Sequence, residues 1–211
     1  MEKSDVAALF QSFERQNPRP QTELIYTTPF SFLVSVILSA QATDKSVNKV
    51  METLRPKVET PEAVLAVGLP ALTESLKSIN YFQNKAKNIV TLSKILVEHF
   101  QSCIPLNFSE LVKLPGVGRK TANVLLVELA QEERIAVDTH VLRVSQRLGL
   151  SGAQTPETLE RDLYDVVPRV FWSRTNHWLV LHGRYVCTAR NPQCSSCFVK
   201  GFCKSFQEGL S

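Results

Sequence analysis

Four of the five cysteines crowd into the last 25 residues of a 211-residue chain, as Cys187-x6-Cys194-x2-Cys197-x5-Cys203. Residues 1–18, MEKSDVAALFQSFERQNP, carry charges throughout and have no apolar signal core. A metal site is therefore expected before disulfides. Four thiolates in a short, loop-rich segment can hold zinc or an iron–sulfur cluster, and ligand count alone does not separate the two. Ordinary zinc ribbons prefer two Cys-x2-Cys pairs, and here there is one. Cys103 lies outside the group and reads as a thiol without a role.

A second chemical constellation is Leu114-Pro115-Gly116-Val117-Gly118-Arg119-Lys120-Thr121-Ala122. An apolar helix end, Leu111–Leu114, runs into a turn with two glycines, and a second helix follows at once. Glycine admits positive φ and lets backbone approach a ligand closely. The N–H groups at the start of the second helix point outward, where the helix dipole favours an anion such as phosphate. Val117 is expected to pack the turn, and Ala122 to let the helices close together. Lys120 falls in the first turn of that helix. The partial positive charge there and the neighbouring Arg119 cation both disfavour a protonated amine, and the neutral amine is the nucleophile. On local sequence alone, a solvated lysine touching phosphate is the plainer reading.

Eighteen residues on, Asp138 follows the apolar Ile135-Ala136-Val137 and begins a helix. N-capping is its default role. A carboxylate can also stabilise a cationic transition state and move protons, and the two roles are compatible.

Taken together, these strings resemble the endonuclease III family of the helix-hairpin-helix DNA glycosylase superfamily. Leu114–Ala122 followed by Val137-Asp138-Thr139-His140 is similar to the superfamily signature. Ser39-Ala40-Gln41-Ala42-Thr43-Asp44, His177-Trp178-Leu179 and Leu181-His182-Gly183-Arg184-Tyr185 are similar to the endonuclease III branch. The likeness runs from about Asn17 to Cys203. It implies a bifunctional DNA glycosylase and abasic-site lyase of base-excision repair, with Lys120 as nucleophile and Asp138 as its partner. Oxidised pyrimidines are the implied lesions. It also implies a [4Fe–4S] cluster on Cys187, Cys194, Cys197 and Cys203. The DNA contacts it implies are Gly116, Val117, Gly118 and Arg119 on the phosphate, with Gln41 and Tyr81 filling the stack left by a flipped base. The loop between Cys187 and Cys194 is often richer in Lys and Arg in the family; here Arg190 is its one basic residue. The chain also departs at Ile79-Asn80-Tyr81-Phe82, where many relatives carry Gly and an aliphatic residue before the aromatic one. Tyr81 and Phe82 can equally be core aromatics, and Gln41 a polar residue closing a helix.

The elements that must position these residues read as helical. Val6, Leu9, Phe10 and Phe13 share one helical face, ended by Pro18 and Pro20. Phe30–Gln41 is apolar enough for either a buried helix or a buried strand. Thr43-Asp44 looks like a helix start, Pro61 and Pro70 stand near the starts of two shorter helices, and a longer one spans 86–100. Thr121–Ala130, Val141–Leu148, Thr155–Val166 and Thr175–Val186 complete the pattern. No alternating hairpin signal or Asn-Gly turn is present. The expectation is an all-α chain of about ten helices with short loops. The resemblance arranges them as two domains flanking a DNA-binding cleft, residues 21–131 with the hairpin and residues 1–20 plus 132–211 with the cluster, so that Lys120 faces Asp138 across the cleft.

Composition agrees with a polyanion partner without demanding it. The net charge is +4, and residues 1–110 carry eleven cations and eleven anions, so the excess lies wholly in residues 111–211, with thirteen and nine. At 44% hydrophobic the chain can bury a core, and no stretch has the length of a membrane span. A monomer acting on double-stranded DNA in the cytoplasm, with the nucleoid if the source is bacterial, is expected. Two rivals remain. An adenine-type glycosylase would need a carboxylate within Phe30–Gln41, where there is none. A non-catalytic DNA-binding protein with a structural metal would reduce Lys120 and Asp138 to contact and cap.

Overall fold

The computed structural model describes residues 2–209, and among these every regular element is helical. The α-helices are α1 (Lys3–Gln16), α2 (Pro29–Ser39), α3 (Asp44–Leu54), α4 (Pro61–Ser75), α5 (Phe82–Phe100), α6 (Phe108–Leu111), α7 (Arg119–Ala130), α8 (Thr139–Leu148), α9 (Pro156–Val166), α10 (Trp172–Tyr185) and α11 (Lys204–Gln207). Short 3₁₀ turns at Arg55–Lys57, Arg169–Phe171 and Lys200–Phe202 join them. None of these helices is long and apolar enough to cross a membrane. The chain divides into two compact units, Thr22–Ala130 and Met1–Gln21 with Gln131–Ser211.

The unit 22–130 is built around α2. Every residue from Phe30 to Leu38 is buried, so the helix has no polar face to announce it. That absence of periodicity is why the sequence admitted a strand. The start settles the matter: Thr28 Oγ1 accepts from the Ser31 amide at 3.0 Å, Ser31 Oγ accepts from the Thr28 amide at 2.9 Å, and Pro29 fills the first helical position. Val47, Val50, Met51 and Leu54 of α3 and Ile89, Leu92 and Leu96 of α5 bury against the same core, as do Leu125 and Leu126 of α7. Pro61 and Pro70 do mark two helical runs within α4, separated by Gly68 at φ +76°. Helix α5 begins at Phe82, four residues before the apolar pattern starts, because polar side chains occupy its first turn.

In the other unit, Val6, Leu9, Phe10 and Phe13 of α1 pack with Leu159 and Leu163 of α9 and with Phe171, Trp178 and Leu179. Phe10 stacks on Phe171 at 5.8 Å between ring centroids. Trp178 Nε1 donates to the Asn17 carbonyl at 2.8 Å, so the residue after α1 is tied to α10. The Arg174 guanidinium lies 4.9 Å from the Trp178 ring and donates to Glu14 at 2.5 Å. These contacts attach the N-terminal helix to a core made mostly by residues beyond 131.

Leu33 is fully buried at the centre of α2. Leu33→Ala should lower unfolding free energy by about 2–5 kcal/mol, read by chemical denaturation of the purified chain.

Candidate functional site

The glycine turn links two helices in the unit 22–130. Asn107 Oδ1 caps α6 by accepting from the Ser109 amide at 2.9 Å. The chain then tightens through Leu114 N–H to the Leu111 carbonyl and Val117 N–H to the Leu114 carbonyl, each at 3.0 Å. Leu114 and Val117 are buried, which fixes the turn to the core. The two glycines do different things. Gly116 adopts φ +82°, and a Cβ there would lie 3.2 Å from Asn88. Gly118 does not use the left-handed region, and a Cβ there would meet nothing within 4 Å. The sequence expectation of backbone freedom thus holds for Gly116, while Gly118 leaves the start of α7 uncovered by any side chain of its own. The Arg119 guanidinium lies 5.3 Å from the Phe108 ring centroid, which fixes a cation beside the turn. Lys120 is exposed in the first turn of α7, and Ala122 is fully buried, as close helix approach requires.

Asp138 lies in the other unit, where it caps α8. Its Oδ1 accepts from the amides of His140 and Val141, both at 2.9 Å. The residue is half-buried, after the buried Ile135-Ala136-Val137. Asn176 Nδ2 donates to the Ala136 carbonyl at 2.8 Å and Tyr164 Oη accepts from the Ile135 amide at 3.0 Å, so the segment leading to Asp138 is held from two sides. Burial, with Arg143 and Arg184 nearby, pulls the His140 imidazole below its ordinary value although Asp138 opposes this. His140 is therefore neutral at physiological pH.

All four tail cysteines line one cavity with Arg147, Leu148, His182, Val186, Pro192 and Phe206. Burial foremost, and also the other thiols, raises the Cys197 and Cys203 thiols above their ordinary value. Clustered thiols of this kind release their protons to a cationic centre. Among the described residues, no group of three or more His, Cys, Asp or Glu is set to hold a single metal ion. Four thiols lining one cavity are a donor set that fits a cluster. Arg147 donates to Cys187 Sγ at 3.4 Å and to the carbonyls of Thr188 and Ala189 at 2.7 and 3.0 Å. Arg143 donates to the Gly183 carbonyl at 2.8 Å and to the Cys187 carbonyl at 3.2 Å. His182 Nε2 stands 3.6 Å from Cys197 Sγ, and its buried Nδ1 has no partner among the described residues. Burial pulls this imidazole down to about 4, so it is neutral. The tautomer with the proton on Nε2 faces a donor toward sulfur and leaves only an acceptor unpaired.

Gln41 and Tyr81 are both exposed, and both take positive φ, 55° and 57°. Tyr81 is 63% exposed and so is not a core aromatic, whereas Phe82 packs partly against the core. Gln41 follows the end of α2 by two residues, as a helix-closing residue does. Arg190 is exposed on the loop between Cys187 and Cys194, and Cys103 is exposed in the unit 22–130. Sequence reasoning missed Arg143 and Arg147; their four-residue spacing on α8 put two cations on one helix face and was the available signal.

Residues 34–169 match the family model for the HhH-GPD superfamily base excision DNA repair protein. Residues 187–203 match the iron-sulfur binding domain of endonuclease III. The chain is 48% identical to endonuclease III of Rickettsia conorii over 96% of this chain and 97% of the relative. It is also similar to two solved structures at TM-score 0.93 and 38% identity. One is a non-covalent endonuclease III–DNA complex, covering 100% of this chain and 99% of that one. The other is a trapped endonuclease III–DNA covalent intermediate with an estranged adenine, covering 100% of both chains.

Asp138→Ala should cost about 0.5–2 kcal/mol of stability through the lost cap, whereas Asp138→Asn should cost only a few tenths because Asn caps equally well. Paired denaturation curves would read the difference.

Proposed function

The chain belongs to the HhH-GPD superfamily of base excision DNA repair proteins, and on that premise we propose that it releases damaged bases, chiefly oxidised pyrimidines, from double-stranded DNA and then cuts the strand at the abasic site. The observation that carries this reading is an exposed Lys120 in the first turn of a helix entered through an exposed glycine turn that the buried Leu114 and Val117 anchor to the core. Such a helix start attracts a backbone phosphate, and the turn carries no sequence-reading side chain.

A base inside a duplex shields its own sugar, so the damaged nucleotide leaves the stack first. Gln41 and Tyr81 fill the gap. The Lys120 amine attacks C1′, and the base departs with the bonding electrons and gains a proton. The sugar ring then opens, O4′ leaving C1′ with the bonding electrons and taking a proton, and the resulting iminium acidifies C2′, so that loss of a C2′ proton expels the 3′ phosphate. Asp138 supports the developing cation with its carboxylate and assists the proton transfers. Gly116, Val117, Gly118 and Arg119 hold the backbone, with Arg190 on the cluster loop. The protein acts as a monomer, in the cytoplasm and at the nucleoid if the source is bacterial.

The chain carries a [4Fe–4S] cluster, and Cys187, Cys194, Cys197 and Cys203 are the residues that would hold it. Bound there, the cluster supplies a rigid crosslink of the tail. Arg147 transmits that rigidity to the DNA-facing loop by binding both Cys187 Sγ and the Thr188 and Ala189 carbonyls.

Lys120→Gln keeps the length but cannot form a Schiff base. Borohydride should trap wild type on abasic-site DNA and leave Lys120→Gln untrapped, with DNA binding within about threefold. Asp138→Asn should slow single-turnover base release by about 10²–10⁴-fold with its fold intact. A normal rate for Asp138→Asn would reduce the aspartate to a cap. Anaerobically purified protein should be yellow-brown with about four iron and four sulfide per chain. Cys103→Ser should keep the metal and Cys197→Ser should lose it; zinc without iron would refute the cluster.

A further inference from the structure

Two exposed residues held in a sparsely populated backbone region stand on neighbouring loops of one unit. Gln41 takes φ 55° just past α2, and Tyr81 takes φ 57° just before α5. Left-handed residues after a helix are ordinary, and Gln101 and Gln131 show the same habit. Tyr81 is different, because it precedes its helix. The N-caps Thr28, Thr43, Thr60, Asn107, Asp138 and Thr155 are all extended and bond a first-turn amide with the side chain. Tyr81 is left-handed and makes no such bond, and its ring is turned out to solvent. A bulky residue with positive φ is an outlier that the surrounding structure must hold in place.

The holding contacts come from the residues on either side of Tyr81. Asn80 Nδ2 donates to the Gln41 carbonyl at 2.8 Å. Lys85 Nζ donates to the Leu38 carbonyl at 2.8 Å and to the Ala40 carbonyl at 2.5 Å. Lys85 is only 6% exposed, and burial pulls its ammonium below the ordinary lysine value. A cation at the start of α5 opposes that helix's dipole. The same ammonium sits at the C-terminal carbonyls of α2, where a cation is favoured. Its placement is explained by the α2 end, and so by the segment that presents Gln41.

We propose that Asn80 and Lys85 are positioning residues that brace Gln41 and Tyr81 into one rigid pair, so that both side chains enter the opened base stack together. This rests on the repair function proposed above. Lys85 anchors the end of α2 to α5 from inside the unit. Asn80, which is exposed, closes the bridge at the surface between the two tips themselves. A tip fixed before binding loses less freedom when it enters DNA. The brace therefore acts on opening the stack and not on the chemical step at the sugar.

The test uses the full-length, cluster-containing protein and a duplex with 2-aminopurine opposite an uncleavable abasic analogue. Saturating wild type should raise the fluorescence as the stack opens. Asn80→Ala should cut that rise and slow single-turnover release of a base-paired lesion about fivefold, the scale of one lost hydrogen bond. Asn80→Asp should match Asn80→Ala, since a carboxylate cannot donate to the Gln41 carbonyl. Asn80→Gln, which keeps the donor on a longer arm, should recover most of both signals. Melting temperatures of all three should stay within about 2 °C of wild type, as expected for an exposed site. A wild-type borohydride adduct alongside unchanged fluorescence and rate in Asn80→Ala and Asn80→Asp would overturn the brace alone. Equal losses in all three variants with lowered melting temperatures would also overturn it, in favour of a merely structural asparagine. Failure of wild type to form the adduct would instead overturn the repair function, and the brace with it.

Discussion

The unpaired N–H groups at helix starts are the constraint on which the functional parts of this molecule depend. A helix leaves its first amides without intrahelical partners, and they must go to side chains, solvent or a ligand. This chain answers most of them with Thr, Asn or Asp. Threonine caps α2, α3, α4 and α9, Asn107 caps α6 and Asp138 caps α8. At α7 the preceding residue is Gly118, which has no side chain with which to cap, and the turn before it is packed down through Leu114 and Val117. The contrast between a capped α8 and a glycine-led α7 separates the two chemical roles. One helix start holds a carboxylate in place, and the other leads with an exposed lysine.

Legibility in the sequence followed how local each feature is. Caps, glycine turns and cysteine spacing are local, and Asp138, Gly116 and the four-cysteine tail were all found from adjacent residues. The apolar faces of α1, α3 and α8 were legible because each is buried on one side only. Helix α2 was ambiguous for the opposite reason: buried all round, it has no period, and its identity lies in Thr28-Pro29-Phe30-Ser31, a start signal outweighed by the Val and Ile that follow. The contacts of Asn80, Lys85 and Arg147 span roughly 40 residues of chain. No spacing rule reaches that far, so a buried lysine in α5 reads as a surface residue until the end of α2 is placed beside it.

The cluster loop shows how the chain compensates for a weak local charge. Between the first two cysteines Arg190 is the one basic residue. The other arginines near this loop serve its backbone. Arg143 and Arg147 spend their donors on the Gly183, Cys187, Thr188 and Ala189 carbonyls and on Cys187 Sγ. Guanidinium groups committed in this way shape the loop and still contribute positive potential near it. A loop shaped before it meets a partner loses less freedom on binding than mobile side chains do.

The same economy governs the two loop tips at Gln41 and Tyr81. Glycine at either position would remove the backbone strain, yet it would also remove the exposed side chain and would free the loop to wander. Keeping large side chains at positive φ requires rigid neighbours. Helix α2 supplies one, since a fully buried helix cannot shift its C-terminal end without disturbing the core on every side. Helix α5 supplies the other through Ala86, Ile89, Leu92 and Leu96, all fully buried. Lys85 lies one residue before that apolar row and takes its donors into the end of α2. The core packing that makes this unit stable is thus also what holds two exposed, strained tips in a fixed relation.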